Sequence, residues 1–102
     1  MKTVLPFDVP HDLIAGFCSQ HHIFRLAFFG SALRDDYRPD SDVDILVDFK
    51  QGHVPGFLVL AHIERELSEM LGVRVDLRTS GELSRYFRDE VVANSLEEYV
   101  AG

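Results

Sequence analysis

An apolar strand runs into Gly-Ser, and ten residues later a second strand opens on Asp-x-Asp; no other feature constrains this chain as tightly. The residues are Phe28-Phe29-Gly30-Ser31 and then Asp42-Val43-Asp44, followed by an apolar run to Phe49. Side chains alternate faces along a strand. Val43, Ile45, Val47 and Phe49 therefore form one apolar face, and Asp42, Asp44, Leu46 and Asp48 form the other. Two carboxylates side by side on one face repel unless a cation sits between them.

The rest of the chain supplies a frame for that pair. Asp8-Val9-Pro10 reads as a helix start with proline in the first turn, and Leu13, Ile14, Phe17 and Cys18 continue at helical spacing, predicting a helix over 9–20. His21-His22 read as a solvated helix end. Ile23 to Phe29 has the length and apolar content of a buried strand. Ser31 to Arg34 opens a short helical turn, and residues 35–41 form a polar loop. After the Gly- and Pro-bearing loop 51–56, Leu60, Ile63, Leu67, Met70 and Leu71 predict a helix over 57–71, with Gly72 ending it. A third strand is expected over 73–78, with Val73, Val75 and Leu77 on one side and Arg74, Asp76 and Arg78 on the other. Ser80 is placed to cap a last helical region holding Leu83, Tyr86, Phe87, Val91 and Val92. The tail from Asn94 is read as helical.

Strand, helix and strand alternate, which predicts an α+β two-layer arrangement: a mixed sheet packed on helices. If the second and third strands are neighbours, Asp76 emerges on the same face as Asp42 and Asp44. At about 4 Å and an effective dielectric near 20, each like-charge pair costs on the order of 4 kcal/mol. A small domain has only about 5–15 kcal/mol of stability in total. Either one carboxylate stays protonated or a divalent cation neutralises the group. Oxygen donors without neighbouring His or Cys select Mg²⁺, with Mn²⁺ as a substitute, over zinc.

Magnesium held by a few carboxylates completes its shell with water and substrate phosphates. Gly30-Ser31 is the complementary half: glycine lets a phosphate approach the backbone, and Ser31 at a helix start can donate to it. Arg34, one turn on, reaches toward the same anion. Two metal ions could activate an attacking hydroxyl and stabilise a leaving pyrophosphate, with Asp76 as the candidate general base. The chemistry indicated is phosphoryl or nucleotidyl transfer. It is not that of a P-loop, since no Gly-Lys-Ser/Thr follows a glycine-rich loop.

Composition narrows the classes. The chain has 102 residues, 46% of them hydrophobic, which suits one domain, 1–102, with a real core. No apolar run is long enough to span a membrane, and the start lacks the apolar region of a secretory signal. Cys18 has no partner for a disulfide and reads as a small buried hydrophobe, so a cytoplasmic location is expected. The net charge of −7 argues against an extensive nucleic-acid surface and is compatible with a basic protein partner or a metal-loaded site.

The run Phe29-Gly30-Ser31-Ala32-Leu33-Arg34, then Arg38-Pro39-Asp40-Ser41-Asp42-Val43-Asp44-Ile45-Leu46-Val47, with Asp76 on a later strand, resembles the minimal nucleotidyltransferases of prokaryotes, within the DNA polymerase beta-like nucleotidyltransferase superfamily. The resemblance extends to Leu83-Ser84-Arg85-Tyr86-Phe87-Arg88-Asp89. It implies a mixed sheet with helices on one side, Asp42 and Asp44 as metal ligands, Asp76 as the third catalytic carboxylate, and Gly30-Ser31 holding a nucleoside triphosphate. Many members act as antitoxins of a HEPN-domain ribonuclease toxin, transferring AMP from ATP to a toxin tyrosine. One departure stands out: many members carry Gly after the position of Arg34, whereas this chain has Asp35-Asp36.

Three functions follow as expectations. The first is an adenylyltransferase antitoxin; about 25 residues follow the third strand, too few for a second substrate-binding domain, so the partner's surface is expected to complete the site. The second is neutralisation by binding alone, the acidic surface masking a basic toxin. The third is nucleotidyl transfer to RNA or a small molecule, disfavoured mildly by 10 Lys and Arg against 17 acids. Homo-oligomerisation is left open.

Overall fold

The computed structural model describes residues 5, 7–33, 37–38, 40–82, 89–91 and 93–101. A helix, α1 (His11–Gln20), leads into β1 (Ile23–Phe29), a 3-10 turn (Gly30–Leu33) and β2 (Val43–Phe49). Then come α2 (Phe57–Leu71), β3 (Val75–Thr79), a second 3-10 turn (Ser80–Glu82) and β4 (Leu96–Val100). The strands form one mixed sheet in the order β3-β2-β1-β4. β1 is antiparallel to β2 and β4, and β2 is parallel to β3. This is the two-layer α+β arrangement expected, with α1 starting two residues later and β3 starting at Val75 rather than Val73.

Both helices cover the same face. Ile14, Phe17 and Cys18 of α1 and Ile63, Leu67 and Leu71 of α2 join Leu26, Phe28, Val43, Ile45, Val47 and Val75 in one buried cluster. The helical spacing of α2 explains its part: positions 63, 67 and 71 recur every four residues and form one stripe. Gly72 closes α2 in a left-handed conformation, its N–H donating to the Ser68 carbonyl. On the opposite face Ala27 and Leu46, directly paired between β1 and β2, are also buried. No helix among the described residues is long and apolar enough to cross a membrane.

The tail is where the fold departs from expectation. Residues 96–100 form the edge strand β4 rather than a helix. The register places Leu96 beside Phe28 and Tyr99 beside Leu26, with an irregularity between Leu26 and Ala27. A bulge of this kind adds a residue on one strand, so positions three apart can share a face. Leu96 and Tyr99 both pack against the core and imitate a helical repeat. Of the last helical region, residues 83–88 and Val92 lie outside the described residues; 89–91 and 93 are helical, with Val91 buried.

The other edge strand, β3, is closed by its neighbouring helix. The Val75 N–H donates to Ser68 Oγ at 3.1 Å and the Leu77 N–H donates to Glu64 Oε2 at 2.8 Å. Glu64 and Ser68 lie one turn apart on α2, so one helix face satisfies two outward amides that would otherwise invite another strand. Removing one partner of a buried or half-buried bond exposes the full desolvation cost. Glu64→Ala is therefore expected to lower stability by about 1–3 kcal/mol. Glu64→Gln, whose amide oxygen can accept the same bond, should stay within about 0.5 kcal/mol of the parent in urea denaturation. Equal losses for both would mean that the contact contributes nothing specific.

Cys18 is fully buried, as its pattern suggested. Burial, helped by the nearby Glu98 charge, pushes its thiol from 9.0 up to about 12. In the unfolded chain the thiol ionises at the lower value, so the folded state loses relative stability as pH rises from about 9 toward 12. Below pH 8 the group has no effect. Chemical denaturation of the parent and of Cys18→Ala should give parallel stabilities at pH 7, and a steeper fall for the parent between pH 9 and pH 11. Native protein should resist iodoacetamide at pH 8.

Candidate active site

β1 delivers the chain to Gly30 beside β2, and the register pairs Phe29 with Asp44. Gly30 takes φ +74°, a region that favours glycine, and begins the 3-10 turn that carries Ser31. A Cβ added at Gly30 would run into the Asp44 carboxylate, with Cγ at 3.1 Å and the nearer oxygen closer still. Gly30 is thus required twice over: for the turn and for the approach of Asp44. Ser31 follows Gly30 directly in the same turn. Arg34, and the departure Asp35-Asp36, fall outside the described residues.

The parallel pairing of β2 with β3 sets Asp44 opposite Asp76 and Val43 opposite Val75. Asp42 precedes Asp44 by two residues, on the same face. One sheet face therefore presents Gly30, just past the end of β1, then Asp44 on β2 and Asp76 on β3 in lateral order, with Asp42 beside them. Asp44 and Asp76 are half-buried, whereas the Asp42 side chain is 53% exposed.

The backbone brings the three carboxylate positions together; the side chains are not gathered as the repulsion argument supposed. Among the described residues no three His, Cys, Asp or Glu side chains are grouped closely enough to hold a metal ion. Arginines from β3 and the residue before it account for much of this. Arg74 Nε lies 3.2 Å from Asp42 Oδ1, while its terminal nitrogen donates to the Asp40 carbonyl at 2.7 Å. Arg78 lies 3.3 Å from Asp76 Oδ2. Arg74 and Arg78 are residues that the sequence reasoning did not assign to the site, although the signal was visible: they flank Asp76 at alternate positions and so share its face. They supply a third way of offsetting like charge, besides protonation or a divalent ion.

Further along the face, Arg25 holds Asp48 Oδ2 through two nitrogens at 2.9 and 3.2 Å, and the Ser80 hydroxyl donates to Asp48 Oδ1. Asp48 is thereby tied to β1 and to the turn after β3, and is separated from Asp44 by the buried Leu46. It braces the sheet rather than joining the cluster.

The donor set fits a hard divalent ion. All three carboxylates are oxygen donors on adjacent strands, the two arginine contacts are on exposed side chains that can turn away, and the close packing of Gly30 on Asp44 leaves backbone rather than side chain next to it. Exposed ion pairs of this kind contribute little, about 0–1 kcal/mol each, and present a small obstacle to such a rearrangement.

Comparison with known proteins gives a consistent answer. The nucleotidyltransferase domain family matches residues 12–101. MJ0435 of Methanocaldococcus jannaschii, provisionally named a protein adenylyltransferase, is 32% identical over 78 residues, covering 76% of this chain and 82% of its own. A solved structure of a provisionally assigned minimal nucleotidyltransferase superposes with TM-score 0.71 at 32% identity, over 84% of this chain and 86% of that one. A complex of a tri-AMPylated Shewanella oneidensis HEPN toxin with an MNT antitoxin matches in fold, at TM-score 0.65 and 18% identity, over 89% of this chain and 70% of that one.

Proposed function

Because the chain belongs to the nucleotidyltransferase domain family, we propose that it is a metal-dependent protein adenylyltransferase, an antitoxin that transfers AMP from ATP to a tyrosine of a partner HEPN ribonuclease toxin. The observation that carries this reading is the lateral order Gly30, Asp44, Asp76 on one sheet face, with Asp42 at its edge. The S. oneidensis complex supports the choice of partner, since there a HEPN toxin bearing AMP is bound to a protein of the same fold.

In this reading Asp42, Asp44 and Asp76 hold Mg²⁺, one ion or two, with Mn²⁺ able to substitute. The bound ion neutralises charge on the triphosphate and offsets repulsion among the carboxylates. Gly30 and Ser31 present backbone at the start of the 3-10 turn to the phosphates, and Arg34 adds a charge-assisted contact. Asp76 Oδ takes the proton from the acceptor hydroxyl. The acceptor oxygen bonds to the α-phosphorus, the bond from that phosphorus to the bridging oxygen breaks, and pyrophosphate leaves with the electron pair. Arg74 and Arg78 release Asp42 and Asp76 as the site fills. The reaction is assigned to the cytosol.

Incubation with a HEPN-domain ribonuclease toxin tests the reading. Label from ATP carrying ³²P at the α-phosphate should appear on a tyrosine of that protein, and label at the γ-phosphate should not. Label on co-purified RNA with none on the protein would replace the acceptor assigned here.

A further inference from the structure

A cleft of about 290 Å³ opens beside the candidate site, between the first half of α2 and β3. Phe57, Leu60, Ala61 and Leu77 supply its apolar wall, and Asp76 and Arg78 its polar side. Glu64 also borders it, but its carboxylate is occupied in closing the Leu77 amide. The volume falls at the lower end of small-molecule clefts, roughly 300 Å³, which is scant for a nucleotide and ample for one aromatic side chain. Phe57, which lines the cleft, and Leu58 next to it in the chain are each 82% exposed, and Val54, three residues before Phe57, is 70% exposed. Large apolar side chains exposed together in this way mark a surface that another molecule covers.

The position of the cleft relative to Gly30 matters more than its composition. Gly30 lies on the β1 side of Asp44, and Asp76 lies on the β3 side. Attacking and leaving oxygens are roughly in line in transfer at phosphorus. A triphosphate anchored at Gly30 and Ser31 sends its pyrophosphate toward β1. The attacking oxygen must then come from the opposite side, over β3, where the cleft lies.

From this geometry we propose that the α2–β3 cleft is the acceptor subsite and that its occupant is a tyrosine side chain of the partner protein, whose surrounding surface rests on Phe57 and Leu58. The proposal rests on the transfer reaction argued above and adds where the acceptor enters and why it is aromatic. The ring lies against Phe57, Leu60, Ala61 and Leu77, and its hydroxyl reaches the Asp76 side. A serine or threonine would leave the apolar wall unfilled, which disfavours it as acceptor.

Ala61 is exposed, so Ala61→Trp can fill the cleft without disturbing the core. With the HEPN-domain protein as acceptor, Mg²⁺ and α-labelled ATP, Ala61→Trp should raise KM for the acceptor at least about tenfold, and Phe57→Ser should act in the same direction. KM for ATP should stay within about twofold in both, because the nucleotide side of Asp44 is untouched. Leu13→Trp, at a position 64% exposed on α1, should leave both constants unchanged. Parent-like acceptor KM in both cleft variants would overturn the subsite while the transfer reaction stands. A parent that labels no tyrosine at all would remove the reaction and the subsite with it.

Discussion

Asp44→Asn is expected to lower AMP transfer on the order of a thousandfold, about 4 kcal/mol of transition-state stabilisation. Asp44 is central because it meets both halves of the site: Gly30 packs on its carboxylate, and Asp76 pairs with it across the parallel strands. The amide has nearly the same shape, so what is lost is charge at the position proposed to hold a divalent ion. The fold should not suffer. Because the substituted side chain keeps its shape in a half-buried position, the melting temperature is expected to stay within about 5 °C of the parent. Single-turnover labelling and thermal unfolding, measured on the same preparations, check both halves. A variant that melts early and transfers slowly would indicate structural damage instead.

Gly30→Ala combines two faults. At φ +74° an alanine is strained by about 1–2 kcal/mol, and its Cβ meets the Asp44 carboxylate. Something must shift, and the mobile partner is the carboxylate itself. A displacement of about 1 Å at a reacting centre costs roughly a hundredfold in rate, so activity should fall at least that far. Gly72→Ala is the matched control. Gly72 has φ +72° as well, but nothing lies within 4 Å of an added Cβ. It should lose a similar 1–2 kcal/mol of stability while keeping transfer intact. If the two variants lose activity equally, the contact between Gly30 and Asp44 has no functional weight.

Local pattern was sufficient for most of the frame and insufficient at its edge. The stripe of α2 and the strict alternation in β2 are periodic signals that survive folding, because each element meets the core along one face. The side-by-side placement of Asp44 and Asp76 also followed from pattern, once the two strands were taken as neighbours. β4 was illegible for a physical reason. Its pairing with β1 joins residues about 70 positions apart, and its bulge puts Leu96 and Tyr99 on one face at a spacing that a helix would also give. Adjacent Glu97 and Glu98 strengthen that false reading, since glutamate favours helices over strands. At the site, backbone register could be anticipated but side-chain partners could not. Arg74 and Arg78 were placed on the Asp76 face from alternation, yet their reach to Asp42 and Asp76 depends on long side chains whose direction only the folded chain sets.

The α2–β3 edge serves stability and access at once. Glu64 and Ser68 close the outward amides of β3, so the edge is protected from strand addition, while the first turns of α2 leave apolar side chains exposed next to Asp76.

The most direct test compares the parent with Asp42→Asn/Asp44→Asn, each mixed with the HEPN-domain protein, Mg²⁺ and α-labelled ATP. Complex formation, label on the toxin and residual ribonuclease activity are read from one mixture. The account predicts that both form the complex, that only the parent labels the toxin, and that only the parent silences it. Full silencing by the unlabelling double variant would contradict it and leave an antitoxin that acts by binding alone.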